Sequence, residues 1–509
     1  MKALVGRKSG TVFSYLLMAV EVLSSLLFTP FLIRVLGQAE YGVYSLSLSI
    51  TTYFTLLDLG VGNAMVRYIA KYRVEGDLDS QRRFLGLAVV FYLAICVVMM
   101  ALYVLLAHNM ASMFGNGLTQ SEIDLAEKLL GITVLNAGVT LLASVFDKVL
   151  IAYEYFSISK IIQIAKIVLR VGLQVALLIL GFGSFGIVVA NLAMTVLYGV
   201  ATVVFVVRVI RIVPVFHGFD YSFAREILGY TFFVFIQMVA TQINAMAGQV
   251  ILGMVSSSVM LGIYAVGSQI NQYYQQLAGG ISGVTMPGIV ALVSKDATPE
   301  QLEKEMVKVG RITLLVIGVV MGGFIAVGDV FVVLWAGAEN SEAFYVAAML
   351  MFPMLLALIQ ASGSQVLWAK GKHQLQALIK IAVALSCVLL TFALVPWNPL
   401  LGAALGSAVS CFFGDVVAMN IVFRREIGIR MTTYYRRMGK GIVPSIAISS
   451  LLGFIVKMFL PLGWPSLFIE VALIVLAYCG CLWLFGCDQY ERNLFASAWR
   501  RVSDKRRFE

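Results

Sequence analysis

The sequence predicts an all-α polytopic membrane protein with about fourteen transmembrane helices, arranged as two pseudo-symmetric six-helix lobes plus two C-terminal helices. Three observations lead there. Sixty per cent of the residues are apolar, 13% are charged and mean hydropathy is +0.92, a composition that would be insoluble as an ordinary globule. Apolar runs long enough to cross a bilayer recur along the chain, with basic clusters at alternate connections. A stretch near the start also returns 220 residues later.

A helix needs about 20 apolar residues to cross the hydrocarbon. Spans of that length centre approximately on residues 11–33, 41–66, 84–107, 124–146, 158–180, 185–207, 228–253, 260–291, 309–334, 344–368, 375–395, 400–423, 441–460 and 465–487. The first run, from about Thr11 to Ile33, is too long for a signal-peptide core and lacks a small-residue cleavage site, so it reads as a retained helix. Charge supports the count independently. Lys2, Arg7 and Lys8 precede the first span; Arg67, Lys71, Arg73, Arg82 and Arg83 follow the second; Lys148 and Lys160 follow the fourth; Arg208, Arg211 and Arg225 follow the sixth. The alternation continues through Lys295 to Arg311, Lys370 and Lys372, Arg424 to Lys440, and the tail from Arg492 to Arg507, with Arg34, Lys128 and Lys457 as the main exceptions. Both ends are therefore expected on the cytoplasmic side. The same clustering assigns the net charge of +10 to topology, so no nucleic acid is expected as a partner.

The segments near Lys295 to Lys308 and Arg424 to Lys440 read as amphipathic surface helices anchored to anionic headgroups. The outer connections are short, leaving no extramembrane domain to house an active site. Gly181, Gly183 and Gly186 form a G-x-G-x-x-G in one of these turns, outside any strand-turn-helix unit and so no dinucleotide site. His108, His217 and His373 are scattered at span ends, and no P-loop or nucleophile-base pair is present. The six cysteines lie within or at the ends of apolar spans without metal-ligand spacing, and read as small hydrophobes. Neither an enzyme nor a metal site is expected.

The repeat pairs Gly42, Tyr44, Ile50, Tyr53, Leu57, Gly60 and Ile69 with Gly262, Tyr264, Ile270, Tyr273, Leu277, Gly280 and Ile289, seven identities in twenty-eight positions, against about two by chance. Lys160, Ile161 and Gly186 likewise fall on Lys380, Ile381 and Gly406. The expected organisation is an N-terminal lobe over residues 1–215, a second lobe over 216–430, and residues 431–509 as two further helices with a basic tail. An even number of spans per lobe makes the repeat parallel, with the substrate site at the lobe interface.

Polar residues inside spans are the informative ones, because a charge near the bilayer centre costs about 2.5–3.5 kcal/mol on insertion scales. In the fifth span Gln163, Lys166, Arg170 and Gln174 stand three, four and four apart, which puts them on one helical face. They read either as a cationic stripe lining a lumen for an anion, or as a snorkelling Lys166 above a deep Arg170. Lys380 is the candidate counterpart in the second lobe. Glu21 and Asp58 are candidates for proton or sodium coupling, with a structural ion pair such as Asp58 to Arg67 as the alternative. Asp415 and Glu470 pose the same question more weakly. Gln237, Thr241, Asn244 and Gly248 share a face of the seventh span, and Gln269, Gln272, Tyr273 and Gln276 one of the eighth; such groups suit sugar hydroxyls or interhelical hydrogen bonds.

The segments RVLGQAEYGVYSL and LLDLGVGNAMVRYIAKY, within Arg34 to Lys71, resemble the start of bacterial polysaccharide flippases, the Wzx type within the multidrug/oligosaccharidyl-lipid/polysaccharide exporter superfamily. The resemblance implies a cargo of undecaprenyl-diphosphate-linked oligosaccharide, moved across the bacterial cytoplasmic membrane by alternating access; no cofactor is expected, and coupling to a proton or sodium gradient is left open. Its implied partners are that lipid-linked oligosaccharide, membrane lipids and other polysaccharide-assembly membrane proteins. On this reading Arg34, Arg67, Lys166, Arg170 and Lys380 attract the diphosphate, Gln237, Asn244, Gln269 and Tyr273 meet the sugar, and Glu21 and Asp58 couple transport to the gradient. A lipid-linked peptidoglycan precursor or drug cations on the same fold remain open, as does a membrane enzyme or scaffold of polysaccharide assembly. Cationic cargo sits badly with a basic stripe.

Overall fold

The computed structural model describes residues 7–58, 61–217 and 222–486. Gly60, Cys487, Lys2 and the basic tail from Arg492, all used in the sequence analysis, lie outside them. Within the described residues the chain is helical and has no strand. In order the helices are α1 (Arg7–Thr55), α2 (Val61–Glu75), α3 (Leu78–Phe114), α4 (Gln120–Ala152), α5 (Phe156–Ile179), α6 (Gly183–Phe205), α7 (Ser222–Val255) and α8 (Ser258–Val293). They continue as α9 (Pro299–Ala336), α10 (Ala343–Ile359), α11 (Ala361–Ala369), α12 (His373–Leu394), α13 (Pro399–Cys411), α14 (Met419–Val422), α15 (Met431–Gly439), α16 (Ile442–Lys457) and α17 (Trp464–Cys481).

Ten of these helical stretches are long and apolar enough to cross a membrane, or twelve counting the bent pairs α10–α11 and α15–α16. The first of the ten contains two expected spans, and α8 covers the eighth. Helices thus stand at all fourteen expected positions, but three boundaries differ. The expected turn after Arg34 is a one-residue break: Gly37 takes φ 73° and ψ 170° inside α1, a left-handed conformation that redirects the helix without a loop. The expected second span is interrupted, with α1 ending at Thr55, a 3₁₀ turn at Leu56–Asp58 and α2 starting at Val61. The stretch near Lys295 to Lys308 makes no separate surface helix; Thr298 and Gln301 form a capping box, and the chain enters the 38-residue α9 at Pro299.

The chain divides into two compact units, residues 1–265 with 380–407, and residues 266–379 with 408–509. In the first, α4 packs on α1, α3 and α6, and α5 on α1 and α6. Thr51 and Thr133 share a 2.6 Å hydrogen bond, and the Ser47 hydroxyl donates to the Ala126 carbonyl, tying α1 to α4. Asp77 caps α3 by accepting from the Ser80 amide and hydroxyl, bonds that hold its carboxyl below the usual range. At the connection from α4 to α5, Arg73 lies 4.6 Å from the Tyr153 ring centroid, and Tyr153 donates to Gln81; burial pushes the Tyr153 phenol up and Arg73 opposes it.

A close crossing joins α1 to the α7–α8 hairpin. Gln249 donates to Ser45, Gly253 faces Leu46, and Ser258 donates to Glu122, which also caps α4. A methyl group on Gly42 would sit 2.1 Å from the Ser258 carbonyl oxygen, and one on Gly262 would sit 2.5 Å from that of Gln38. The four positions are related by the 220-residue shift. The contact is therefore reciprocal: each repeat's glycine receives the other's backbone.

In the second unit Arg311 is buried. Its guanidinium donates to the carbonyls of Arg437, Met438 and Lys440 at the break between α15 and α16, and to Gly486 beyond α17 at 2.7 Å. It thereby satisfies carbonyls that two helix ends leave open. The charge pattern counts Arg311 among topological cations; the fold uses it as a cap.

Replacing Gly42 or Gly262 by Leu should lower stability by about 1–3 kcal/mol, the usual cost of overpacking, and so depress the thermal midpoint of the detergent-solubilised protein. Gly172→Ala, where an added methyl meets nothing within 4 Å, should leave that midpoint unchanged or slightly higher.

Candidate functional site

The polar residues of α5 do share one face. Gln174 is buried and Gln163, Lys166 and Arg170 are half-buried, while Ala165, Val168, Leu169 and Gly172 on the opposite side are exposed. The stripe therefore faces into the first unit, against α1, α4 and α6. At one end Asp147 of α4 accepts from Ser159 at 2.6 Å, Gln163 donates to Ser159 at 3.1 Å, and Lys160 donates to Gln163 at 3.4 Å. Tyr198 of α6 turns its hydroxyl toward Asp147 and Gln163 while Lys166 Nζ stands 5.0 Å from its ring centroid. At the other end Arg170 lies beside buried Tyr44 of α1, and Gln174 donates to Asn191 at 2.9 Å.

The charges of this group do not cancel. Lys160, Lys166 and Arg170 meet one acid, Asp147, leaving a formal excess of two positive charges. Arg170 Nε is buried without a hydrogen-bond partner. Two cations one helical turn apart repel each other, and an anion placed between them removes that cost. The repeats share only part of this positive character: the 220-residue shift carries Lys160 onto Lys380 but Lys166 and Arg170 onto Ser386 and Leu390. Tyr44 maps onto Tyr264, also buried, which faces Gly248 and Ser407 in a neutral setting.

The other expected site residues are dispersed. Arg34 and Glu21 are exposed on α1. Arg67 is exposed on α2, with its guanidinium 5.7 Å from the Tyr68 ring centroid. Asp58 is half-buried and accepts a hydrogen bond from Tyr92 of α3; the anticipated ion pair with Arg67 is replaced by this neutral donor. Lys380 is half-buried on α12. On α7, Gln237 and Asn244 are half-buried, and Asn244 Oδ1 has no hydrogen-bond partner. Gln269 and Tyr273 of α8 belong to the second unit, where Tyr273 meets the edge of Trp335. Sequence reasoning missed Asp147, Tyr198, Tyr92 and Asn191. Asp147 had a signal, an acid one residue beyond an apolar span; the tyrosines and the asparagine had none.

The first unit also holds an apolar cavity of about 370 Å³ between α1, α3, α4 and α7, lined by Tyr53, Phe54, Leu106, Met110, Phe114 and neighbours. No group of three or more His, Cys, Asp or Glu placed to hold a metal ion occurs among the described residues.

The family model described as "Polysaccharide biosynthesis protein" matches residues 9–293. The chain is 22% identical over 514 aligned residues, 95% of its length and 96% of the other's, to "Uncharacterized membrane protein EpsK" of Bacillus subtilis (strain 168). Its fold is similar to that of the solved "Lipid II flippase MurJ, inward closed conformation", with a TM-score of 0.69 and 14% identity over 96% of this chain and 99% of that one. It is also similar to an "Inward-facing conformation of a multidrug resistance MATE family transporter of the MOP superfamily", with a TM-score of 0.67 and 15% identity over 80% and 94% of the two chains.

Tyr92→Phe should remove the donor that Asp58 accepts and leave a half-buried carboxylate short of a partner. The expected cost is about 1–3 kcal/mol, measured as a lower thermal midpoint, and Asp58→Asn should recover part of it in the Tyr92→Phe background.

Proposed function

The chain belongs to the polysaccharide biosynthesis protein family, and on that premise we propose that it is a flippase for an undecaprenyl-diphosphate-linked oligosaccharide. It is a multi-pass membrane protein of transporter fold, and the reading is of a carrier with no covalent step. The observation that carries the cargo is the inward-facing Lys166–Arg170 pair with its unbalanced charge. A diphosphate supplies two or more negative charges and several acceptors for ammonium and guanidinium groups. The apolar cavity of the first unit suits part of an isoprenoid chain, and the amides of α7 suit hydroxyl-rich sugar.

The basic clusters support an orientation with both termini cytoplasmic, in the bacterial inner membrane. Glu21 and Asp58 remain our candidates for coupling, Lys380 and the exposed Arg34 and Arg67 for early attraction of the headgroup. A second reading, a lipid-linked peptidoglycan precursor, is favoured by the fold similarity to a protein titled lipid II flippase. Both cargoes are lipid diphosphates, so the charge argument serves either.

The test is transport in proteoliposomes of tagged undecaprenyl-diphosphate oligosaccharide beside the peptidoglycan precursor, with imposed proton or sodium gradients. Wild type should move the oligosaccharide. Arg170→Gln and Lys166→Gln should each lose about tenfold or more, since a charge-assisted hydrogen bond contributes about 1.5–3 kcal/mol. Selective movement of the precursor would favour the second reading, and movement of neither would reject both.

A further inference from the structure

Two residues singled out in the sequence find no use in the transport reading: Lys457, a basic residue on the wrong side of the charge pattern, and Glu470, an acid inside an apolar span. The second unit brings them together. There α9, α16 and α17 pack on one another, and Ala326, Val327, Leu467 and Ile474 form an apolar core with Val330, Phe331 and Leu334 against it. One charged side chain enters this seam from each helix. Lys457 of α16 donates to Asp329 Oδ2 of α9. Glu470 of α17 is only 2% exposed, and the charges it feels are those of Lys457 and Asp329. Asp329 Oδ1 and Glu470 Oε2 are both buried and accept no hydrogen bond. Of the other titratable groups on these helices, Tyr478 donates to the Leu315 carbonyl, and the remaining charges of α9 lie between Glu300 and Arg311 at its opposite end.

Two carboxylates against one ammonium leave a net negative charge, and while the half-exposed Asp329 can share its charge with its surroundings, the buried Glu470 is held among apolar side chains where an uncompensated charge is costly. A bound cation removes that cost. Two open oxygens are too few for a hard metal ion, since calcium, for example, takes about six to eight oxygen ligands. They are enough for a proton, which needs one oxygen to carry it and one to accept its hydrogen bond. We propose that Asp329, Lys457 and Glu470 form a proton-binding site that latches α16 and α17 to α9. With one proton the cluster is neutral. Without it the seam carries a negative charge, so the protonated form is the more stable and the latch weakens as pH rises. The site is separate from the α5 stripe and stands whether or not the transported molecule is a lipid diphosphate.

Infrared difference spectra of the full-length protein in lipid nanodiscs, taken across a step from acid to alkaline pH, read the proton directly through the carbonyl band of an un-ionised carboxylic acid. Exposed carboxylates lose their bands at about pH 4; above that range wild type should keep one further band, which disappears on alkalinisation. Glu470→Gln and Asp329→Asn should each abolish it, because one carboxylate beside Lys457 is neutral without a proton. Lys457→Met should keep the band to more alkaline pH. Should Glu470→Gln fail to fold, Asp329→Asn, at the more accessible edge of the seam, carries the same test. A band that survives both acid substitutions, a wild type without one, or a band abolished by sodium at constant pH would each overturn the proposal.

Discussion

The close approach of α1 to the α7–α8 hairpin is a severe steric constraint on the first unit. Backbone meets backbone at Gly42 and Gly262, with less room than a methyl group needs on either side. The neighbouring contact of Ser45 with Gln249 lies along the same crossing, and Ser258 also reaches Glu122 of α4. The two glycines are equivalent in the internal repeat, as are Gln38 and Ser258, whose carbonyls they receive. One duplicated helix therefore supplies both sides of its own contact, and both halves must keep a residue without a side chain.

The repeat keeps close backbone contacts and only part of its charge, with Lys160 matched by Lys380 and Lys166 and Arg170 unmatched. Tyr44 and Tyr264 are buried at corresponding places, and Gly186 and Gly406 each make a close helix crossing. Yet the face of α5 that carries Lys166 and Arg170 carries Ser386 and Leu390 on its counterpart. Packing tolerates few changes at a backbone crossing, whereas a half-buried face can exchange cations for apolar groups at the cost of whatever they bind. Lys166 and Arg170 therefore make the two repeats electrostatically unequal.

The second unit handles charge differently. Arg311 is buried but fully used, its guanidinium spread over carbonyls that two helix ends leave exposed. The seam of α9, α16 and α17 holds an odd number of charges and two unsatisfied oxygens. A guanidinium among carbonyls is a finished structural device, while an unbalanced cluster asks for another particle. A similar contrast separates Asp58, held by Tyr92, from the α5 stripe.

The sequence by itself determined the class of protein, the approximate positions of its apolar helices and the sharing of one α5 face by four polar residues. These follow from hydropathy, charge alternation and helical period, which are local properties written along the chain. It also determined which residues were anomalous, Lys457 and Glu470 among them, because a charge in an apolar span stands out without a structure. Only the tertiary structure decided what each anomaly meets: Tyr92 and not Arg67 for Asp58, Tyr198 for Lys166, backbone carbonyls for Arg311, Asp329 for Lys457. It decided as well that the turn after Arg34 is a single glycine break and that the second span is broken near Asp58. Partners across helices are set by the packing of segments tens to hundreds of residues apart, and neither periodicity nor composition carries that distance.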